Sequence, residues 1–518
     1  FKTHAYSPEL FVTRWQTNVA GATDPTKITL NFQPLSGTAY YEVSWKCDGN
    51  FEVIYNAKHT HDYGTAGTYD VCIRTLTPLA FYAPDLTTEE KGKLLEIKQW
   101  GSIKWSSFTS AFKGMTNMQL TATDTPDLSQ VTDMSSAFEG ATSFTGHESM
   151  NSWNTSGVTN MSTTFGGASN FNAPIGNWDT SAVTAMNSMF YGATNFNQYI
   201  GKWKTGEVGN MSLMFFEATN FNNGEASGES TKPLEWNTSK AFNFKQMFNK
   251  ASSFNQPIGD WQTGFIRDMY GMFAGANVFN QNISGWNTSG VINMGSMFNQ
   301  AYAFNQNIGG WNTGAVTNMS SMFRNATVFN NGDKPGVSSK PLNWNTIKVK
   351  DMSYMFNEAR SFNQDISVWQ TGLVESMYAM FAVATAFNQN IGGWNTGKVT
   401  NMHRMFQSAT VFNQDISEWN TENVEYMSNM FHNATAFNQN IGGWDTGKVT
   451  TMHRMFYAAK AFNQNVGSWN TDSVSSMYQM FYAASNFNNG EEPGLSNNPL
   501  NWNTGSVDNM NGLFHAAT

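Results

Sequence analysis

The chain has 518 residues, of which 13% are charged and 14% aromatic, and its net charge is −9. Charged residues stand at about half their usual share of ~25%, so polar groups must pair internally, which excludes a solvated, disordered polyampholyte. No basic stripe appears, which argues against nucleic acid as a partner, and no apolar run reaches the ~18 residues that mark a membrane span.

The chain opens on Phe1 without a signal-peptide pattern and stops within a repeat, at Ala516-Ala517-Thr518. It reads as a processed or trimmed piece of a longer chain. Residues 1–87 have no long period. Short alternating stretches, Ile28-Thr29-Leu30, Tyr41-Glu42-Val43-Ser44-Trp45 and Tyr69-Asp70-Val71-Cys72-Ile73, are separated by Gly, Pro and Asp turns. That pattern predicts a small all-β, immunoglobulin-like sandwich. Both cysteines of the chain, Cys47 and Cys72, lie here. They are a candidate disulfide suited to an exported protein, with two buried thiols as the alternative.

Residues 88–127 fit the later repeat loosely, through Ile103, Trp105, Phe108 and Phe112. They are read as an N-terminal capping region, because a terminal repeat needs an atypical outer face. From 128 to 518 one unit recurs. Tryptophan marks it: Trp153, Trp178 and Trp203, then Trp236 to Trp311, Trp344 to Trp469, and Trp502, at a spacing of 25 residues broken three times by a spacing of 33. Each break is an insertion between a Phe-Asn-Asn-Gly and the next Trp. Thr stands two places after each Trp, Phe twelve and Ala fifteen, as in Thr396, Phe406 and Ala409 after Trp394.

One such unit cannot bury its apolar residues, whereas stacked copies can. The spacing of Val399, Met402, Met405, Phe406 and Ala409 is that of one face of a helix. Asp415-Ile416-Ser417-Glu418-Trp419 reads as a short strand. The fold class expected is therefore a right-handed α/β solenoid, leucine-rich-repeat-like, with about 25 residues, one short strand and one short helix per coil. Its last coil is expected to be truncated.

The unit F-N-Q-x-I-x-x-W-N-T-x-x-V-T-x-M-x-x-M-F-x-x-A, over roughly residues 95–518, resembles the BspA-family leucine-rich-repeat surface proteins, including their mycoplasma lipoprotein-associated repeats. Leu95-Glu96-Ile97-Lys98-Gln99-Trp100-Gly101 is similar to the family's lead-in. Val43-Ser44-Trp45, Asp48-Gly49, His61-Asp62-Tyr63, Gly67, Tyr69 and Val71 resemble the polycystic kidney disease (PKD) type domain, with Trp45-Lys46-Cys47-Asp48-Gly49 in place of the usual W-G-D-G. These resemblances imply an exported, cell-surface protein whose usual role is adhesion, with a spacer domain in front.

The Trp, Met and Phe series has core spacing, so contact residues are sought off the pattern. Tyr199, Tyr270, Tyr302, Tyr354, Tyr378, Tyr426, Tyr457, Tyr478 and Tyr482 are candidates, as are His403-Arg404 and His453-Arg454, which share one slot two coils apart. A solvated face is the plainer reading of the latter. His59 and His61 would share one face of a strand, where a structural role is favoured over metal binding. The insertions carry Glu225 and Glu229, Asp333, and Glu491 and Glu492. Partner contact, a tolerated insertion, and calcium binding remain open for them.

No catalytic motif appears, and no cofactor is expected beyond calcium at those insertions. The expected function is non-catalytic binding of a surface protein or glycan at the cell surface. The alternatives are a structural subunit of a surface filament, sheath or outer-membrane-associated complex, and a glycan-binding accessory of a surface machine.

Overall fold

The computed structural model describes residues 6–34, 40–495 and 497–517. The chain divides into two compact units, 1–261 and 262–518.

The first unit begins with two sheets. The larger has the strand order β4-β3-β6-β1-β8-β9, built from β4 (Glu52–Ile54), β3 (Tyr41–Ser44), β6 (Thr68–Arg74), β1 (Phe11–Gln16), β8 (Leu94–Gln99) and β9 (Gln119–Leu120). The smaller has the order β5-β2-β7, from β5 (Lys58–Asp62), β2 (Lys27–Pro34) and β7 (Leu79–Phe81). Phe32 of β2 packs against Tyr41 of β3 at 5.0 Å, joining the two layers, and against Phe81 of β7 in its own sheet at 5.2 Å. A disulfide ties Cys47, just after β3, to Cys72 in β6. One short helix, α1 (Thr88–Lys93), is capped by Thr87, whose side chain accepts the N–H of Glu90. β8 then pairs antiparallel with β1 and parallel with β9, so the large sheet runs on into the first coils.

In the coils the structure corrects the expected fold class. Among the described residues, helix is confined to α1 and one 3-10 turn, Glu148–Ser152, so no coil carries a helix. The predicted strand is absent too: Trp419 donates its N–H to the Ile416 carbonyl, and Asp415 Oδ1 accepts the Ser417 N–H, which makes this stretch a turn. Parallel pairing occurs instead at single residues, such as Asn401 with Tyr426 and Tyr426 with Thr451.

The reason lies in the backbone. An α-helix needs i→i−4 bonds and negative φ throughout. Here Arg404 and Ser408 have φ of 61° and 56°. The N–H groups then alternate. Those of Met402, Arg404, Phe406 and Ser408 reach the next coil's carbonyls, at Tyr426, Ser428, Met430 and His432, over 2.7–3.0 Å. Those of Met405, Gln407 and Ala409 turn back three residues, to Met402, Arg404 and Phe406. A chain that reverses every three or four residues points Val399, Met402, Met405 and Ala409 inward at the same spacing as a helix would.

Stacking of these coils makes columns of like residues. Phe406 lies 4.0 Å from Phe412 within its coil and 5.7 Å from Phe431 in the next, and Trp394 lies 6.2 Å from Trp369. All of these rings are buried, and each contributes roughly 1.5–3 kcal/mol by leaving water. The polar groups are paired along the same axis. Trp394 Nε1 donates to the Ile366 carbonyl, Thr396 Oγ1 to the Asn420 carbonyl, and the Asn413 N–H to Asn388 Oδ1. Asn395, Asn401 and Asp415 each accept the N–H two residues on, closing three turns in one coil. This explains a sequence rich in Asn and Thr yet poor in charge. Among the described residues no helix is long and apolar enough to cross a membrane.

Candidate functional site

The turn that runs through Met402 to Ala409 directs three positions away from the core, those nine, ten and thirteen residues after each Trp. In the second unit these positions carry an unusual set. Tyr378 stacks on His403 at 5.2 Å with the planes 2° apart, and Tyr354 meets Tyr378 edge-on at 4.7 Å. Arg324 lies over the Tyr354 ring at 4.7 Å. Arg454 lies between Tyr457 and Tyr478, 5.6 and 5.3 Å from their centroids, and Gln479 holds its Nε at 2.9 Å. One column runs His432, Tyr457, Tyr482, His515, with successive centroids 4.7–4.8 Å apart. These contacts join the three positions into one face.

Its electrostatics are one-sided. Read along 262–518, none of the three positions holds Asp or Glu in any coil. Burial pushes the His403 imidazole down to about 4, and the charges of Arg404 and His453 push the same way. Burial likewise lowers His432 and His453, with Arg454 and Arg404 adding to it. Arg324, Arg404 and Arg454 have no ion-pair partner among the described residues, and Arg324 Nε is buried without a hydrogen bond. Some cations elsewhere are paired, in this unit Lys340 with Asp333 and Arg360 with Glu358, and in the first unit Lys240 with Glu207.

Of the contact candidates, the face brings together Tyr354, Tyr378, His403, Arg404, His453, Arg454, Tyr457, Tyr478 and Tyr482. Tyr270 holds the same position in its own coil, nine residues after Trp261. Tyr302 and Tyr426 lie elsewhere: both are exposed, and Tyr426 sits at a parallel bridge. Tyr199 belongs to the first unit, against the insertion that carries Gly224. Sequence reasoning missed Arg324, His432 and His515. The available signal was the residue just after the repeated Phe, which reads Arg324 and then, from the fourth coil on, His432, Tyr457, Tyr482 and His515 in successive coils.

The acidic insertions are built differently from a metal loop. Glu225 accepts from the Thr231 hydroxyl and N–H and from Gln256, and these bonds, the Thr231 hydroxyl first, hold its carboxyl down to about 2. Asp333 repeats the arrangement with Ser339 and Gln364, which keep its carboxyl below the usual range against the effect of burial. Each carboxylate thus staples its own loop to the following coil. Glu229 takes part through its carbonyl, which Asn222 and Gln256 reach; Glu491 and Glu492 do so through theirs, toward Asn463 and Asn488. Among the described residues no group of three or more His, Cys, Asp or Glu side chains is placed to hold a metal ion. His59 and His61 stack on Trp45, at 5.6 and 4.3 Å, as part of the β-domain's aromatic packing.

These features define a repeat protein of turn-built coils stacked in register within each unit. The chain belongs to the family described as Mycoplasma protein of unknown function, DUF285, whose model matches residues 106–228, 226–335, 336–440, 389–493 and 414–518. No curated protein matches the chain.

Proposed function

We propose that the chain is a non-catalytic, exported protein that binds a surface protein or glycan at the cell surface, with the face of Arg324, Arg404 and Arg454 as its contact region. The observation that carries this reading is the concentration of cations and tyrosines on that face with no carboxylate among them. A merely solvated face mixes its charges, as Lys240 with Glu207 and Lys250 with Glu217 do in the first unit. The resemblance of the repeats to BspA-family surface proteins, and of the first domain to PKD-type spacers, supports the same placement. The cysteine pair suits an oxidising compartment. The test is binding of the labelled chain to whole cells, matrix proteins and a glycan panel, with and without EDTA. Saturable binding that weakens in R404Q/R454Q supports the proposal. Absence of binding to every target overturns it.

A second reading, a packing subunit of a surface assembly, is favoured by a different region. Phe265, Ile292, Ile347 and Leu373, three to six residues after their Trp, are 65%, 47%, 54% and 37% exposed. Concentration-dependent self-association that F265S/I347S abolishes supports this second reading.

A further inference from the structure

We infer that the face of the second unit running from Arg324 to His515 binds an acidic polysaccharide, one carrying carboxylates or sulfate esters along its chain. The inference rests on the surface-binding reading above and names its ligand class.

Three observations carry it. The first is charge: three guanidinium groups without ion-pair partners stand among histidines and tyrosines, with no carboxylate at any of the three positions. Arg324 lies over the Tyr354 ring, with its Nε buried and without a hydrogen-bond partner. Guanidinium groups are suited to carboxylate and sulfate-like oxygens because their planar fork makes paired, charge-assisted bonds.

The second is ring orientation. Tyr457, Tyr482 and His515 stack plane on plane at 4.8 Å, and Tyr378 on His403 at 5.2 Å, so the rings cover one another's faces. What they leave to solvent is their edges, which bear hydroxyl and imidazole N–H donors. Nucleobases are held on single strands by open aromatic faces; in these stacks the faces are covered, while Tyr354 meets Tyr378 and His453 meets Tyr478 edge-on. A donor-rich edge suits sugar hydroxyls and acid groups instead.

The third is repetition. Arg404 and Arg454 occupy the same slot two coils apart, as do His403 and His453; Arg454 is held by Gln479 and Tyr478 of the next coil and His403 by Tyr378 of the preceding one, while Arg404 is exposed. Like donors repeated at a fixed two-coil spacing match a stiff polymer with regularly placed anions. An acidic peptide would lose more conformational entropy on the same row.

The test uses the full chain and fluorescence anisotropy with labelled chondroitin sulfate, polygalacturonate, neutral dextran, poly-L-glutamate and polyuridylate. One of the two acidic polysaccharides is expected to bind and dextran not to. R404Q/R454Q should weaken that binding about tenfold, the loss expected for charge-assisted contacts. Gln is tolerated at this backbone position, since Gln246 and Gln479 occupy it with φ of 54°. K348Q/K398Q removes the same charge from exposed lysines at another position and should leave affinity within about twofold, as expected for charges outside the contact. Equal losses in both variants, or tighter R404- and R454-dependent binding of poly-L-glutamate or polyuridylate, overturns the inference. If no acidic polysaccharide binds while the chain still binds cells, the inference falls and the surface-binding reading stands. If neither occurs, both fall.

Discussion

Thr396 donates its hydroxyl to the carbonyl of Asn420, 2.8 Å away in the next coil, while its own side chain is buried. The same bond recurs from Thr371 to Asn395 and from Thr421 to Asp445. A Val at this place has the right volume but no donor, so the Asn420 carbonyl loses this buried partner. Thr396→Val should therefore cost about 1–3 kcal/mol. Thr396→Ser, which keeps the hydroxyl and loses a methyl, should cost about 1 kcal/mol. Because coils interact mainly with their neighbours, the loss should be local. Amide exchange measured by mass spectrometry should speed up in residues 390–425 and not near Trp502. A Val variant no less protected than the Ser variant would show that the hydroxyl is dispensable.

The period and the core columns were legible in the sequence, because each buried column repeats one residue type: Trp394, Thr396, Met402, Phe406. What the sequence hid was the backbone that carries them. Val399, Met402, Met405 and Ala409 have helical spacing, and nothing in the one-dimensional pattern separates a helix from a series of tight reversals with that same spacing. The distinguishing signal was weak but present. The position of Ser408 is Gly167, Gly192 and Gly275 in other coils and Asn325 and Asn433 in still others, a mixture that marks left-handed backbone rather than a helix interior. The contact face was half-legible for the same reason. His403-Arg404 stood out as a repeated pair, whereas Arg324, His432 and His515 differ in type from coil to coil and join the face only once the coils stack.

Val383 occupies that left-handed column with φ of 61°. A β-branched residue is strained there, and Asn visits this region readily, so Val383→Asn should stabilise its coil by about 1 kcal/mol. The converse change, Gly192→Val, should destabilise by a similar or larger amount. Urea midpoints of the two variants should move in opposite directions. Movement of V383N to a lower midpoint would mean that the packing lost from valine outweighs the strain relieved.

The disulfide between Cys47 and Cys72 closes a loop with a sequence separation of 25 residues. A loop of this length limits the unfolded chain enough to add about 3 kcal/mol. Reduction, or C47S/C72S, should lower the melting temperature of the β-domain while leaving the second unit's coils unchanged, because no cysteine lies in them. Trp45 reports on the change: it is buried, bonded to Glu52 and stacked on His61. An unchanged near-ultraviolet circular dichroism melt after reduction would count against the disulfide's role.

The pH dependence of the second unit should be set in part by His403. Burial is the largest cause of its lowered pKa, and Arg404 and His453 add to it, bringing it to about 4 from an unfolded value near 6.5. Between these two values the unfolded chain binds the extra proton, so stability rises with pH across that window. The contribution is complete above about 6.5 and is lost as pH falls through about 4. The lowered pKa values of His432 and His453 act in the same direction. The unit's melting temperature should thus fall between pH 6.5 and 4, and His403→Gln should flatten the slope. An imidazole titration followed by nuclear magnetic resonance gives the direct check, with a midpoint near 4 expected. A midpoint near 6.5 would mean that the ring is solvated, and with it that the face around Arg404 is looser than its stacked contacts require.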